Sequence, residues 1–402
     1  GGFEVGVPAD FYANAYGEAT VLLDAAYSAD ILPGSHIDVY VNGNIASTVP
    51  ITSTSGGIYR HVPIRVTMRH FHPGANLIEI EAVLKAKADV ACLPGASAAS
   101  EPRFALFDTS ELHIPDFARI AQLPNLSAVA GTGFPYGGQD SPVALFMDRL
   151  DDQTMSTAAT FLGKLAVSAG RPVALATETS TARIGERNAI FVGAISQIPS
   201  AALSQVYLAD ASRTAWGNRA ANVAAGSDSQ ETFDGWKSRV NGGLLQGKFT
   251  ALGDWMKDTF DISVGSLQFL PAEETAMLPP NAASFLAAQG LSPDEAGTWT
   301  VLAAPTGQAL QEGMMFLSDD RNWQAMSGRV FMVDKAKLQT TSIAARRSHL
   351  VETQPFSLFN YRLVAANWLS TNILSYALLF AGASVLLGFA TSGLMSAFGR
   401  QK

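Results

Sequence analysis

Three groups of side chains in this 402-residue sequence have types and spacings suited to chemistry. His70-Phe-His72 sets two imidazoles on one face of a strand, with His61 nearby in sequence, two-thirds of a zinc site. No third ligand is evident, so surface or turn histidines are the plainer reading. Asp151-Asp152, Glu273-Glu274 and Asp319-Asp320 supply paired carboxylates. A glycosidase needs two such groups about 5–10 Å apart across the scissile bond. Adjacent acids in loops more often cap helices or face solvent. Cys92 lies in a Gly/Ala/Ser-rich loop and reads as a bystander thiol. As the sole cysteine, it excludes an intrachain disulfide and a cysteine-cluster metal site. There is no Gly-x-Ser-x-Gly elbow, no Walker A loop and no Gly-x-Gly-x-x-Gly opening a helix after a strand. No catalytic, cofactor or metal residues are therefore assigned.

What must be positioned is instead a hydrophobic end. Hydrophobic residues make up 48% of the chain and charged ones 15%, below the roughly 25% of soluble domains. The formal net charge of -8 argues against a nucleic-acid partner, because phosphate binding needs a basic footprint. No Asp, Glu, Lys or Arg lies between Arg362 and Arg400. About 20 apolar residues rising 1.5 Å each cross a ~30 Å hydrocarbon core, so residues 371–398 are expected to form a transmembrane anchor. The tail 399–402 carries Arg400 and Lys402 and no acid, which favours a cytoplasmic C-terminus and a periplasmic bulk. Ser384, Gly388, Ser392 and Ser396 recur every four residues, a small-residue stripe that lets a partner helix approach closely. Chance in a Ser/Gly-rich span is the competing explanation. Upstream, residues 357–370 are expected to form an amphipathic helix in the membrane interface, with Phe359, Tyr361, Arg362 and Trp368 at headgroup level. The first residues, Gly1-Gly2-Phe3-Glu4, show no signal-peptide pattern, so a removed signal or a chain beginning mid-protein is expected.

Residues 1–118 read as short strands. Ile37, Val39 and Val41 alternate, Asn42-Gly43 gives a type I′ hairpin, and Ile58–Met68 and Asn76–Leu84 follow with Pro73-Gly74 between them. This implies an all-β sandwich or jelly roll, similar to lectin-like sugar-binding domains. Sugar recognition stacks pyranose rings on aromatic faces. All six tryptophans fall after residue 200, so Tyr12, Tyr16 and Tyr59 are the candidate glucan contacts, with core packing the alternative for each.

Residues 119–325 change period. Val143–Met147, Pro172–Thr177, Ala189–Ile195, Trp299–Ala304 and Arg329–Val333 read as buried strands. Thr154–Ala169, Leu244–Phe260 and Pro305–Leu317 read as helices. The alternation implies a doubly wound parallel sheet. Its first βα loop, Asp148-Arg149-Leu150-Asp151-Asp152, carries three carboxylates that repel phosphate, so a flavodoxin-like module without flavin is expected. Residues 326–356 are read as a strand and linker return.

Three runs carry a resemblance: Arg103-Phe-Ala-Leu-Phe-Asp-Thr-Ser-Glu-Leu-His113, Leu123-Pro-Asn-Leu-Ser-Ala-Val-Ala-Gly-Thr-Gly-Phe-Pro-Tyr136 and Asp140-Ser-Pro-Val-Ala-Leu-Phe-Met147. With the tail Asn360-Tyr-Arg-Leu-Val-Ala-Ala-Asn-Trp-Leu369, they resemble the C-terminal half of the periplasmic, membrane-anchored regulatory subunit family of bacterial cellulose synthase. The resemblance implies a noncatalytic component, tethered to the inner membrane and built from a jelly roll and a flavodoxin-like module. Its partners would be the catalytic cellulose synthase subunit, a membrane glycosyltransferase, together with nascent cellulose and the bilayer. UDP-glucose, a divalent metal and cyclic di-GMP would belong to that catalytic partner. Arg65-Val-Thr-Met-Arg69 has the RxxxR spacing of PilZ-type cyclic di-GMP receptors, but Asp108-Thr-Ser-Glu-Leu-His113 lacks the Gly of their DxSxxG element, so the dinucleotide goes to the partner. The alternatives are a tethered periplasmic hydrolase and a regulatory subunit that binds cyclic di-GMP.

Overall fold

Strict alternation builds the N-terminal module. The computed structural model describes residues 1–13, 15–86, 89, 102–138, 141–216, 274–334, 336–337 and 339–399. Cys92, Asp140, Glu273 and the helix expected over 244–260 lie outside them. The strands are β1 (Gly2–Val7), β2 (Glu18–Tyr27), β3 (His36–Val41), β4 (Asn44–Pro50), β5 (Gly57–Thr67), β6 (Gly74–Val83), β7 (Phe104–Leu106) and β8 (Glu111–His113). One sheet runs β1-β6-β3-β4 and the other β5-β2-β7, with β8 also on β2. Every pairing is antiparallel. Ile37, Val39, Ile78 and Ile80 of the first sheet share one core with Val21, Leu23, Ile64 and Val66 of the second. The module is thus a two-sheet sandwich, the arrangement that buries one apolar face of each sheet. Asn42 and Gly43 both take positive φ, 51° and 77°, as the hairpin signal requires. The histidine pair is not on a strand: Met68–His70 is a 3-10 turn and His72 follows it in a loop, where its Nδ1 meets the Pro73 carbonyl.

The next module is a seven-stranded sheet. Its strands are β10 (Val143–Phe146), β11 (Leu175–Glu178), β12 (Ala189–Ala194), β13 (Ala283–Leu291), β14 (Thr298–Ala304), β15 (Val330–Asp334) and β16 (Gln339–Ile343), ordered β11-β10-β12-β14-β13-β15-β16. The first four neighbours are parallel, and β13, β15 and β16 are antiparallel. This corrects the all-parallel expectation. The strand expected within the 326–356 return is β15, which with β16 completes this sheet. Helices α1 (Leu126–Thr132), α2 (Asp152–Ala169), α4 (Gly307–Leu317) and α5 (Asp320–Gln324) bear on one face through Phe161, Leu310 and Trp323. Helix α3 (Ser200–Gln205) bears on the other through Ala202 and Leu203. Coverage on both faces explains why β10, β12 and β14 are buried at every residue.

Two short strands, β9 (Ala121–Leu123) and β17 (His349–Val351), pair between the modules and the C-terminal helices. These helices are α6 (Leu358–Thr371) and α7 (Ile373–Gly399).

Candidate functional site

The site is the junction that fixes α6 and α7 to the folded modules. Ser357 caps α6, its hydroxyl accepting from Asn360 N–H at 3.4 Å. Asn360 and Asn367 are seven residues apart, so both amides fall on one helix face. The Asn367 Oδ1 accepts from the backbone N–H groups of Ala15 (2.9 Å) and Tyr16 (2.8 Å). The Asn360 amide imitates a strand neighbour: its Oδ1 accepts from Arg119 N–H at 2.8 Å and its Nδ2 donates to Arg119 C=O at 2.9 Å. Between them, Val364 packs with Tyr12, Ala118 and Ile120.

A buried carboxylate joins the same segments. Arg119 donates through Nε and Nη2 to Asp10 at 3.1–3.2 Å, and the Thr353 hydroxyl donates to Asp10 Oδ2 at 2.7 Å. Hydrogen bonds to charged groups contribute about 1.5–3 kcal/mol each. Residues 10–16, 118–120 and 353–367 are thereby tied across sequence separations of 109 to 352 residues.

The docked face of α6 is mixed, with Asn360 and Asn367 flanking Val364. Its Leu358, Phe359 and Trp368 are exposed, as is Phe356 just before the helix. The Arg362 guanidinium lies 5.1 Å from the Phe359 ring centre. Tyr361 donates to the Glu352 carboxylate, and that bond, with some desolvation, holds its phenol above the usual range. The four expected interface residues therefore sit on or beside the free side of the helix. Asn360 and Asn367 were missed as anchoring groups; two amides at this spacing in an otherwise apolar helix were the available signal.

Asn372 ends α6, its side chain donating to Trp368 C=O at 2.8 Å, and α7 begins at the next residue. Leu374–Ser396 is long and apolar enough to cross a membrane and is buried nowhere. From Leu378 to Leu394 its Leu, Phe and Val side chains lie bare. Each such side chain gains about 1.5–3 kcal/mol when removed from water. At 100° per residue a four-residue step drifts 40°, so Ser384 and Ser396 end about a third of a turn apart. Ala377, Ala381, Ser384 and Gly388 hold one line better. The Ser384 and Ser396 hydroxyls donate to Phe380 C=O and Gly393 C=O, each at 2.8 Å, and a Cβ on Gly388 would meet nothing within 4 Å.

The tyrosines separate. Tyr12 is 6% exposed, so its ring offers no open face. Burial raises its phenol's pKa, partly offset by hydrogen bonds with Asn367 and Thr371. Tyr59 packs against Tyr27 with ring centres 5.4 Å apart and borders the sandwich core. Tyr16 is 59% exposed but stands at the α6 junction. Asp151 and Asp319 cap α2 and α5, and Asp320 pairs with Lys164 at 2.5 Å. The Thr154 N–H bond holds Asp151 below the usual carboxylate range. Arg65 is exposed, 3.9 Å from Glu18. Among the described residues, no group of three or more His, Cys, Asp or Glu is arranged to hold a metal ion.

Two family models match the chain: the second CBM domain of cellulose synthase BcsB over residues 2–111, and its second FD domain over residues 119–269. The chain belongs to the cellulose synthase BcsB family. The two matches fall on the sandwich and on the α/β module, in that order along the chain. No curated protein matches the chain. In this BcsB-family chain, α6 and α7 follow both matched domains and connect to them through the Asp10, Asn360 and Asn367 contacts.

Proposed function

We propose that this chain is a noncatalytic accessory subunit of a bacterial cellulose synthase complex. Helix α7 anchors it in the inner membrane and docks on the catalytic glycosyltransferase, while the sandwich and α/β modules lie in the periplasm and guide nascent β-1,4-glucan. The observation that carries this reading is the pairing of an apolar span, Leu374–Ser396, that is buried nowhere with an α6 held to the folded modules by the hydrogen bonds of Asn360 and Asn367. A helix satisfies its own backbone polar groups and so tolerates lipid. The free side of α6, with Phe359, Arg362 and Trp368, suits the headgroup layer. The antiparallel sandwich supports a jelly-roll reading, and the β11-β10-β12 order supports a flavodoxin-like core carrying an antiparallel extension. UDP-glucose, its metal and cyclic di-GMP are assigned to the catalytic partner.

Purification in mild detergent tests the proposal. A multi-span glycosyltransferase is expected to accompany the full chain. A full chain that stays soluble without detergent, and alone, would overturn it.

A further inference from the structure

The α/β module holds a cavity of about 220 Å³ that the accessory role does not use. It is bordered by Gly290 and Leu291 at the end of β13, opposite Trp299 and Thr298 at the start of β14. It therefore lies at the amino ends of the parallel strands. Open α/β sheets ordinarily hold ligands at the carboxyl ends.

The walls are built from charges. Arg329 and Glu274 both line the cavity, with side chains only 4% and 6% exposed and Nε 3.3 Å from Oε2. Arg329 also donates to Val206 C=O at 3.0 Å, and its guanidinium lies 5.4 Å from the Tyr207 ring centre. The Nε contact misses hydrogen-bond alignment, which leaves that buried N–H without a partner. Glu274 in turn accepts from the backbone N–H groups of Arg346 and Arg347. At the rim, His349 Nδ1 stands 3.6 Å from Glu295 Oε2. Two lining residues, Tyr207 and Glu295, hold positive φ of 55° and 60° without being glycine. Backbone strain of this kind collects at ligand sites. The floor is tight: a Cβ on Gly290 would lie 1.9 Å from Gln205 C=O.

Buried charge pairs are costly to assemble and add little stability, so one that lines a cavity marks a candidate binding site. Glu274 and Glu295 would repel a phosphate or carboxylate, and Arg329 and Arg347 an ammonium. A hydroxyl donates and accepts at once, so it satisfies both kinds of wall. The volume is below the ~300–1,000 Å³ of pockets for drug-sized ligands, which leaves room for one ring.

We propose that this cavity binds one neutral hydroxylated ring, a hexose-sized sugar unit, whose hydroxyls donate to Glu274 and Glu295 and accept from Arg329 and His349. The proposal rests on the cavity alone and stands or falls apart from association with a glycosyltransferase.

Saturation-transfer NMR on the full chain in detergent tests it, with glucose, glucose 6-phosphate and glucosamine as probes. Transfer to glucose is expected to exceed that to either charged probe. Glu295→Gln, which keeps shape and lies at the rim, should weaken glucose binding about tenfold with an unchanged melting curve. Tyr16→Ala, in the other module, should leave it unaltered. No transfer to glucose, tighter binding of glucose 6-phosphate, or wild-type binding by Glu295→Gln would each overturn the proposal.

Discussion

Gly74 and Gly131, from different modules, meet backbone to backbone: a Cβ on Gly74 would lie 2.3 Å from the Gly131 Cα, and one on Gly131 2.5 Å from the Gly74 Cα. Gly74 opens β6 with φ +99°, and Gly131 lies in the last turn of α1. Neither position has room for a side chain. The sandwich and the α/β module are thus pressed together rather than strung on a linker.

Gly131→Val is expected to lower stability by about 1–3 kcal/mol, the usual penalty of overpacking. The clash is with backbone, the Pro73 C=O at 2.2 Å, so no rotamer relieves it. Urea unfolding measures the loss. A change below about 0.5 kcal/mol, the range of ordinary surface substitutions, would mean that the modules do not bear on each other here.

Asn367→Leu keeps roughly the same volume and removes the acceptor for two backbone N–H groups. A buried donor left unpaired costs about 1–3 kcal/mol. The expected readout is local. Hydrogen exchange at the Ala15 and Tyr16 amides should accelerate, while amides of β2 and β3 keep their protection. Uniform loss of protection would assign Asn367 a role in the whole fold instead.

Short-range patterns were legible in the sequence and long-range ones were not. Asn42-Gly43 fixed a hairpin because only a few residues accept two successive positive φ values. Helix α2 announced itself by its apolar face and by Gly170, which takes φ +66° as its C-cap. β13 went unread because Ala-Ser-Phe-Leu-Ala-Ala-Gln-Gly-Leu has few β-branched residues and no alternation. It is nearly all buried, so no polar face marks it. The return of Asn367 onto Ala15 spans 352 residues and leaves no periodic trace. For Tyr12 the sequence left glucan contact and core packing both open, because Val364, which packs against it, comes from the far end of the chain.

Asp24 gives a pH prediction. It sits at an irregularity in β2, where Oδ2 accepts from the Thr109 hydroxyl at 2.6 Å and Oδ1 from the His61 N–H at 2.5 Å. The Thr109 bond first, then the His61 backbone bond, hold its carboxyl below the ordinary aspartate range. A depressed folded-state pKa contributes stability above the unfolded value, near pH 4, and that contribution is lost as pH falls through the folded value. Asp24→Asn should therefore flatten the acid limb of stability against pH below about pH 4. Unfolding curves that keep the wild-type slope would sink this assignment.

The last prediction separates two readings of the α7 surface. If small residues at every fourth position form the contact, Ser384, Gly388, Ser392 and Ser396 matter alike. A straight helix instead aligns Ala377, Ala381, Ser384 and Gly388, with Ser396 rotated about 120° from Ser384. Close helix approach in lipid depends on small side chains over a continuous line. Gly388→Leu and Ala381→Leu should thus each weaken copurification with the glycosyltransferase, and Ser396→Leu should leave it near wild type. Nothing in the chain opposes a larger side chain at Gly388, so the variant folds and any loss reports on the partner. Equal loss from Ser396→Leu would restore the four-residue stripe. No loss from Gly388→Leu would move the contact to another face of the helix.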